Sequence, residues 1–183
     1  MSFHVLALSG SLRKASTNTM ALRAAQLLAP KDMHIEIADI SHIPMYDGDL
    51  HAQGEPSAVT ALKAKIRAAD AVLIASPEYN FSIPGVLKNT LDWISRPPEP
   101  PFHEKPVAIM GVAPGPVGTA RMQYHLRQVL VFMNAFAVNK PEVLINFSAN
   151  KFNEQGELTD PTTAQYISDL LLALQRLGTR LHP

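Results

Sequence analysis

The residues with the clearest chemical potential stand near the start of the chain. The stretch Ser9-Gly10-Ser11-Leu12-Arg13-Lys14-Ala15-Ser16-Thr17-Asn18-Thr19 holds five hydroxyl residues, two cations, one glycine, one asparagine and no carboxylate. An apolar run, Phe3 to Leu8, precedes it, and a helical pattern begins at about Asn18. A loop between a buried strand and a helix places backbone N–H groups and short hydroxyls around one point, which suits a bound phosphate. Arg13 adds the means for a charge-assisted contact. A plain helix cap, with Ser16 or Thr17 as the capping residue, is the alternative. The stretch lacks the Gly-Lys-Ser/Thr ending of a triphosphate loop and the Gly-x-Gly-x-x-Gly of a dinucleotide site.

Two later loops carry further candidates. Ser76-Pro77-Glu78-Tyr79-Asn80-Phe81-Ser82-Ile83 follows a short apolar run. Pro77, Glu78, Tyr79 and Asn80 offer a ring, an amide and backbone groups able to hold a flat heterocycle. A surface turn with Tyr79 packed on its neighbours is the equal alternative. Ala113-Pro114-Gly115-Pro116-Val117-Gly118 is rich in Gly and Pro. Gly115 would let a ring or sugar approach the backbone, whereas the loop taken alone reads as a rigid turn.

The elements that must position these loops follow from pattern. Phe3–Leu8, His34–Ala38, Ala71–Ala75 and Pro106–Val112 read as strands, with Ala137-Val138 and Val143–Ile145 as the last extended segments. Helices are expected from about Asn18 to near Pro30, and from a Ser57 cap through Ala69. Others are expected from Pro84, at its first position, to about Ser95, and from Thr119 to Met133. A final helix is opened by Asp160 or Thr162. Ile40–Ser57 reads as a long irregular loop, Arg96–Pro101 as a stiff connector and Phe147–Pro161 as an exposed polar excursion. Strand and helix alternate, so the expected fold is α/β: a parallel sheet with helices on both faces and right-handed crossovers. Ligands of such sheets lie outside the carboxyl ends of the strands, where all three loops emerge.

Composition narrows the function. The chain has 183 residues, which favours one domain over 1–183. Its formal net charge is zero, which argues against a nucleic-acid binder and against an acidic electron shuttle. There is no cysteine, so disulfides, thiolate metal sites and thiol catalysis are excluded. The seven histidines show no paired metal-ligand spacing, so no metal site is expected. Ser9 lacks a Gly-x-Ser-x-Gly context, which removes a hydrolase nucleophile. No membrane span and no signal peptide is visible, and a cytoplasmic location is the default expectation.

Two motifs then carry a resemblance. Gly10-Ser11-Leu12-Arg13-x-x-Ser16-x-Asn18, with Pro77-Glu78-Tyr79-Asn80 followed by Ser82-Ile83-Pro84-Gly85-Val86-Leu87-Lys88-Asn89, is similar to the NADPH-dependent FMN reductase family of flavodoxin-like proteins. The likeness is greatest to its quinone and chromate reductase branch and covers residues 3 to 175. The resemblance implies a doubly wound five-stranded parallel sheet of order 2-1-3-4-5, and non-covalent FMN with NADPH or NADH as co-substrate. It also implies a homodimer or homotetramer. By position, Ser11, Arg13, Ser16, Asn18 and Thr19 would hold the FMN phosphate. Pro77, Glu78, Tyr79 and Asn80 would line the ring and ribityl chain. The third loop departs from the family's Ser-x-Gly-x-x-Gly-Gly.

The implied activity is an NAD(P)H oxidoreductase. Hydride passes from nicotinamide to FMN and then to quinones, with azo compounds, free flavin or chromate as further acceptors. The flavin carries the chemistry and no catalytic side chain is required. A non-enzymatic carrier of the flavodoxin type and a phosphate-ligand sensor are the competing functions. Arg121, Tyr124 and Glu142 are expected to make polar contacts across a subunit interface.

Overall fold

The computed structural model describes residues 2–181. Strands β1 (Phe3–Ser9), β2 (Met33–Ala38), β3 (Ala71–Ala75) and β4 (Pro106–Val112) form the body of a parallel sheet ordered β2-β1-β3-β4. Beyond β4 the fifth position is shared by two short strands, β5 (Phe136–Ala137) and β6 (Val143–Ile145), both parallel to β4. The flavodoxin-like order 2-1-3-4-5 is therefore present, with its last strand broken by Val138–Glu142. β5 starts one residue earlier than the pattern suggested, and Val138 still donates its N–H to the Val107 carbonyl at 2.8 Å.

Helices cover both faces. The first, α1 (Thr17–Leu28), and the last, α6 (Pro161–Leu181), lie on one side; α3 (Ser57–Ala68), α4 (Gly85–Ile94) and α5 (Ala120–Phe132) lie on the other. Strand alternation divides the core accordingly. Val5, Ala7, Leu73, Ala108 and Met110 face α1 and α6, while Leu6, Leu8, Val72, Ile74 and Ile109 face the opposite helices. Both faces are buried, which is why these strands are almost continuously apolar.

Several local expectations change. The Ile40–Ser57 loop is not wholly irregular, because Asp47 caps a short helix, α2 (Gly48–Ala52), by accepting from the Asp49 N–H at 2.8 Å. Nor is the loop loose. Asn89 of α4 accepts from the Tyr46 N–H and donates to the Pro44 carbonyl, each at 2.7 Å, and Trp93 Nε1 donates to the same carbonyl at 2.8 Å. The buried Lys63 ammonium pairs with Glu55 at the loop's other end.

Ser57 does not cap α3. Pro56 holds the cap position without a side-chain bond, and Pro84 likewise precedes α4 rather than opening it. Proline's fixed φ suits either position. Asp160, not Thr162, caps α6, accepting from the Thr163 N–H at 2.8 Å, and Pro161 takes the first turn. The Phe147–Pro161 excursion is partly structured: Phe152 and Leu158 pair as a β-bridge and pack on the core. His182 lies outside the described residues.

Candidate active site

Three strands end side by side and send out the three loops. Ser9 of β1 is level with Ala75 of β3, and Ala75 with Met110 of β4. The next positions are packed through small residues. A Cβ on Gly10 would collide with the Ser76 side chain, and one on Gly111 with the Ser76 carbonyl and the Thr119 hydroxyl. Ser76 and Thr119 are themselves fully buried. These close approaches bring the loop origins together, and they are the feature that sequence reasoning missed. A glycine inside the apolar run Val107–Val112 was the available signal, since such a glycine marks close approach of another backbone.

The first loop folds around its own hydroxyls. The Ser9 and Thr19 hydroxyls lie 2.9 Å apart, Ser9 Oγ donates to the Ser11 carbonyl at 3.2 Å, and Ser16 Oγ caps α1 by accepting from the Thr19 N–H at 3.3 Å. Ser16 is thus the capping residue, and its cap leaves other donors of the first turn open. The N–H groups of Thr17 and Asn18, in the first turn of α1, have no acceptor among the described residues. Arg13 is exposed, and its guanidinium has no ion pair or hydrogen bond among them either. Free N–H groups, hydroxyls, an unpaired guanidinium and no carboxylate form a donor set that fits a phosphate monoester.

Asn18 is buried and does a second job. Its Nδ2 donates to the Val112 carbonyl at 3.1 Å, and its Oδ1 accepts from the Val112 N–H at 2.9 Å. The start of α1 is thereby tied to the end of β4. One Nδ2 hydrogen remains for a ligand, because an amide nitrogen has two.

The second loop is a tight turn. Tyr79 and Ser82 exchange backbone hydrogen bonds at 3.2 and 2.9 Å across Asn80 (φ 49°) and Phe81 (φ 63°). Two positive φ values in a two-residue connection make a type I′ turn. Tyr79 is half-exposed, and Pro77 is buried. The Glu78 carboxylate reaches the first turn of α5. Its Oε1 meets Arg121 Nη1 at 3.1 Å and its Oε2 accepts from the Met122 N–H at 3.0 Å. Ser82 Oγ lies 3.1 Å from His125 Nδ1.

Between the first and second loops lies a cleft of about 470 Å³, bounded by Gly10–Arg13 on one side and by Tyr79 and Pro84–Val86 on the other. Of the residues expected to bind a cofactor, Ser11, Arg13 and Tyr79 line it. Ser16, Asn18 and Thr19 form the floor of the first loop through the contacts above, and Pro77, Glu78 and Asn80 shape the second. Gly115 sits on the third loop, where a Cβ would meet nothing within 4 Å, and it does not line this cleft. The third loop is held by Ala113 N–H to the Ile145 carbonyl at 2.9 Å and Asn146 Nδ2 to the Pro116 carbonyl at 3.0 Å. A cavity of about 460 Å³ between Arg23–Leu28 of α1 and Gln155–Leu158 is lined by none of the three loops. No group of three or more potential metal ligands occurs among the described residues.

Known proteins are similar to this chain in sequence and fold. The chain is 54% identical over 177 residues to an NAD(P)H-dependent FMN reductase of Pseudomonas aeruginosa, covering 97% of this chain and 96% of that protein. It is 45% identical over 172 residues to a quinone reductase of Escherichia coli, covering 92% of each. The structure of FerB, a flavoenzyme NAD(P)H:(acceptor) oxidoreductase from Paracoccus denitrificans, matches with a TM-score of 0.89 at 34% identity over 97% of this chain and 98% of that one. The pattern of the family described as NADPH-dependent FMN reductase spans residues 3–150, and on that evidence the chain belongs to this family.

Proposed function

We propose that the protein is an NAD(P)H-dependent FMN oxidoreductase that reduces quinones, working as one domain over 1–183. The observation that carries this reading is the first loop's donor set: an unpaired Arg13 guanidinium lining a cleft that Tyr79 bounds on the other side, and the open N–H groups of Thr17 and Asn18 at the start of α1. Ser11, Arg13, Ser16, Asn18 and Thr19 hold the FMN phosphate. Pro77, Tyr79 and Asn80 hold the ribityl chain and ring, Glu78 shapes the turn that carries them, and Gly115 of the third loop admits the ring from outside the cleft. FMN, when bound, supplies the hydride chemistry, taking hydride from a nicotinamide and delivering it to an acceptor. The chain's residues bind and orient, and none is needed as nucleophile. Azo compounds, free flavin and chromate are further acceptors within the same reading, and the setting is the cytoplasm.

The active form is a homodimer or homotetramer. Val131 and Phe132, at the end of α5, are 77% and 75% exposed, large for residues of this type. A groove of about 430 Å³ beside them runs between Ser82 and Phe132 and includes His125. Arg121, Tyr124 and Glu142 already have partners within the chain, since Arg121 meets Glu78 and Tyr124 donates to Glu142 at 3.3 Å. Their part in an interface would be to extend these contacts to a second copy.

The deciding experiment is anaerobic mixing of the flavin-loaded protein with NADPH and with NADH. One or both bleach the oxidised flavin band, and a quinone then restores it. A flavin that neither nucleotide bleaches makes the protein a carrier. A purified protein that retains no FMN leaves only a phosphate-ligand sensor.

A further inference from the structure

We infer that Glu78 is a positioning residue that holds the Tyr79–Ser82 turn ready for the flavin ring, acting through Arg121 and Phe81. This role rests on the FMN reading above. Helix α5 needs an outside cap. Thr119, its capping residue, makes no side-chain cap; its hydroxyl accepts from Gln123 Nε2 at 3.1 Å instead. Glu78 fills the vacancy from a distant part of the chain. Its Oε2 takes the Met122 N–H, one of the orphan donors of the first turn, and its charge opposes the positive end of the helix.

The other oxygen does different work. Oε1 meets the Arg121 guanidinium at 3.1 Å; the Glu78 side chain is only 8% exposed while Arg121 is 46% exposed, so the carboxylate end of the pair is the fixed one. The Arg121 guanidinium carbon then sits 4.0 Å from the centre of the Phe81 ring, a cation on an aromatic face. Phe81 has φ 63°. A bulky side chain in the left-handed region persists only where its surroundings over-determine it. The Tyr79–Ser82 backbone pair and the Arg121 guanidinium together are that surrounding, and Glu78 holds Arg121 in place. The turn so fixed carries Tyr79, which lines the cleft, and the Asn80 N–H, which has no acceptor among the described residues. A glutamine at 78 could not serve both ends, since it has one acceptor oxygen and would turn donors toward Arg121 or the helix.

This role belongs to the ring end of the site and not to the phosphate end, which separates its test from that of the site itself. FMN and riboflavin are titrated against wild type, Glu78→Gln and Arg13→Ala by flavin fluorescence, and the flavin midpoint potential is measured for each. Glu78→Gln is expected to weaken both ligands by a similar factor, about ten-fold or more, and to shift the potential. Arg13→Ala is expected to weaken FMN alone. Arg121→Met breaks the same clamp from the other side and reproduces the Glu78→Gln effect, should the latter variant fold poorly. Phe81→Gly provides the sharper control. Glycine adopts positive φ without help, so Glu78→Gln should cost much less in a Phe81→Gly background. Wild-type affinity and potential in both clamp variants would overturn the role, and so would an undiminished loss in the Phe81→Gly background. A wild-type protein that binds no flavin would instead remove the reading beneath it.

Discussion

At the scale of single residues, Arg13 and Asn18 divide the first loop's duties. Arg13 reaches solvent with its charge unspent, whereas Asn18 is buried and spends both ends of its amide on Val112. A charge-assisted hydrogen bond contributes about 1.5–3 kcal/mol, or about ten- to a hundred-fold in affinity. Arg13→Ala should therefore weaken FMN retention by that order and leave the fold intact. Equilibrium dialysis with far-UV circular dichroism checks both halves of the statement. Unchanged affinity would move the cradle to Ser11, Ser16 and the backbone N–H groups.

Elements are held by contacts that cross the sequence, and two of them give measurable consequences. Asp160 caps α6 and pairs with Lys151 at 2.9 Å. The Thr163 hydroxyl, then the Lys151 ammonium, hold its carboxyl down at about 2 against an ordinary 3.8. The folded state thus prefers the ionised form, so this stabilisation is complete above the ordinary value and is lost as pH falls through about 2. Asp160→Ala should cost about 1 kcal/mol at neutral pH, as removal of a good cap does. Its stability should also fall less steeply than that of wild type between those two values, as followed by urea unfolding at a series of pH values.

The second element-scale case is the loop between β2 and α3. Asn89 is its main fastening. Asn89→Ala strands the Tyr46 N–H and removes one of two donors to Pro44, a loss of about 1–3 kcal/mol for groups shielded from water. Amide exchange across residues 44–51 should quicken, while the strands keep their protection.

For the whole molecule the prediction concerns association. Zero net charge leaves no strong field to steer or repel a second copy. Burying the exposed Val131 and Phe132 against a second copy would contribute about 25 cal/mol per Å². Wild type should sediment as a dimer or tetramer at micromolar concentration, and a Val131→Glu/Phe132→Glu variant as a smaller species. A wild type that sediments as a monodisperse monomer would remove the oligomer from the proposed function.

The order of strands and helices was legible in the sequence because it rests on local pattern: short apolar runs between turn residues, and apolar stripes at helical spacing. The first loop's donor set was legible for the same reason, since hydroxyls, a cation and a helix start lie within one short stretch. Single caps were less so. Pro56 and Pro84 stand one residue from where pattern put the helix starts, because cap and first turn accept the same φ.

What only the tertiary structure decided are contacts between residues distant along the chain. Asn18 meets Val112, Glu78 meets Arg121 and Met122, Asn89 meets Pro44, and Gly111 yields space to Thr119. Glu78 shows why. Its residue type offered a ring-lining role as readily as any other, and nothing near it in sequence names its partner. The partner is chosen by the sheet, which places β3 beside β4 and so sets the loop after Ala75 against the first turn of α5.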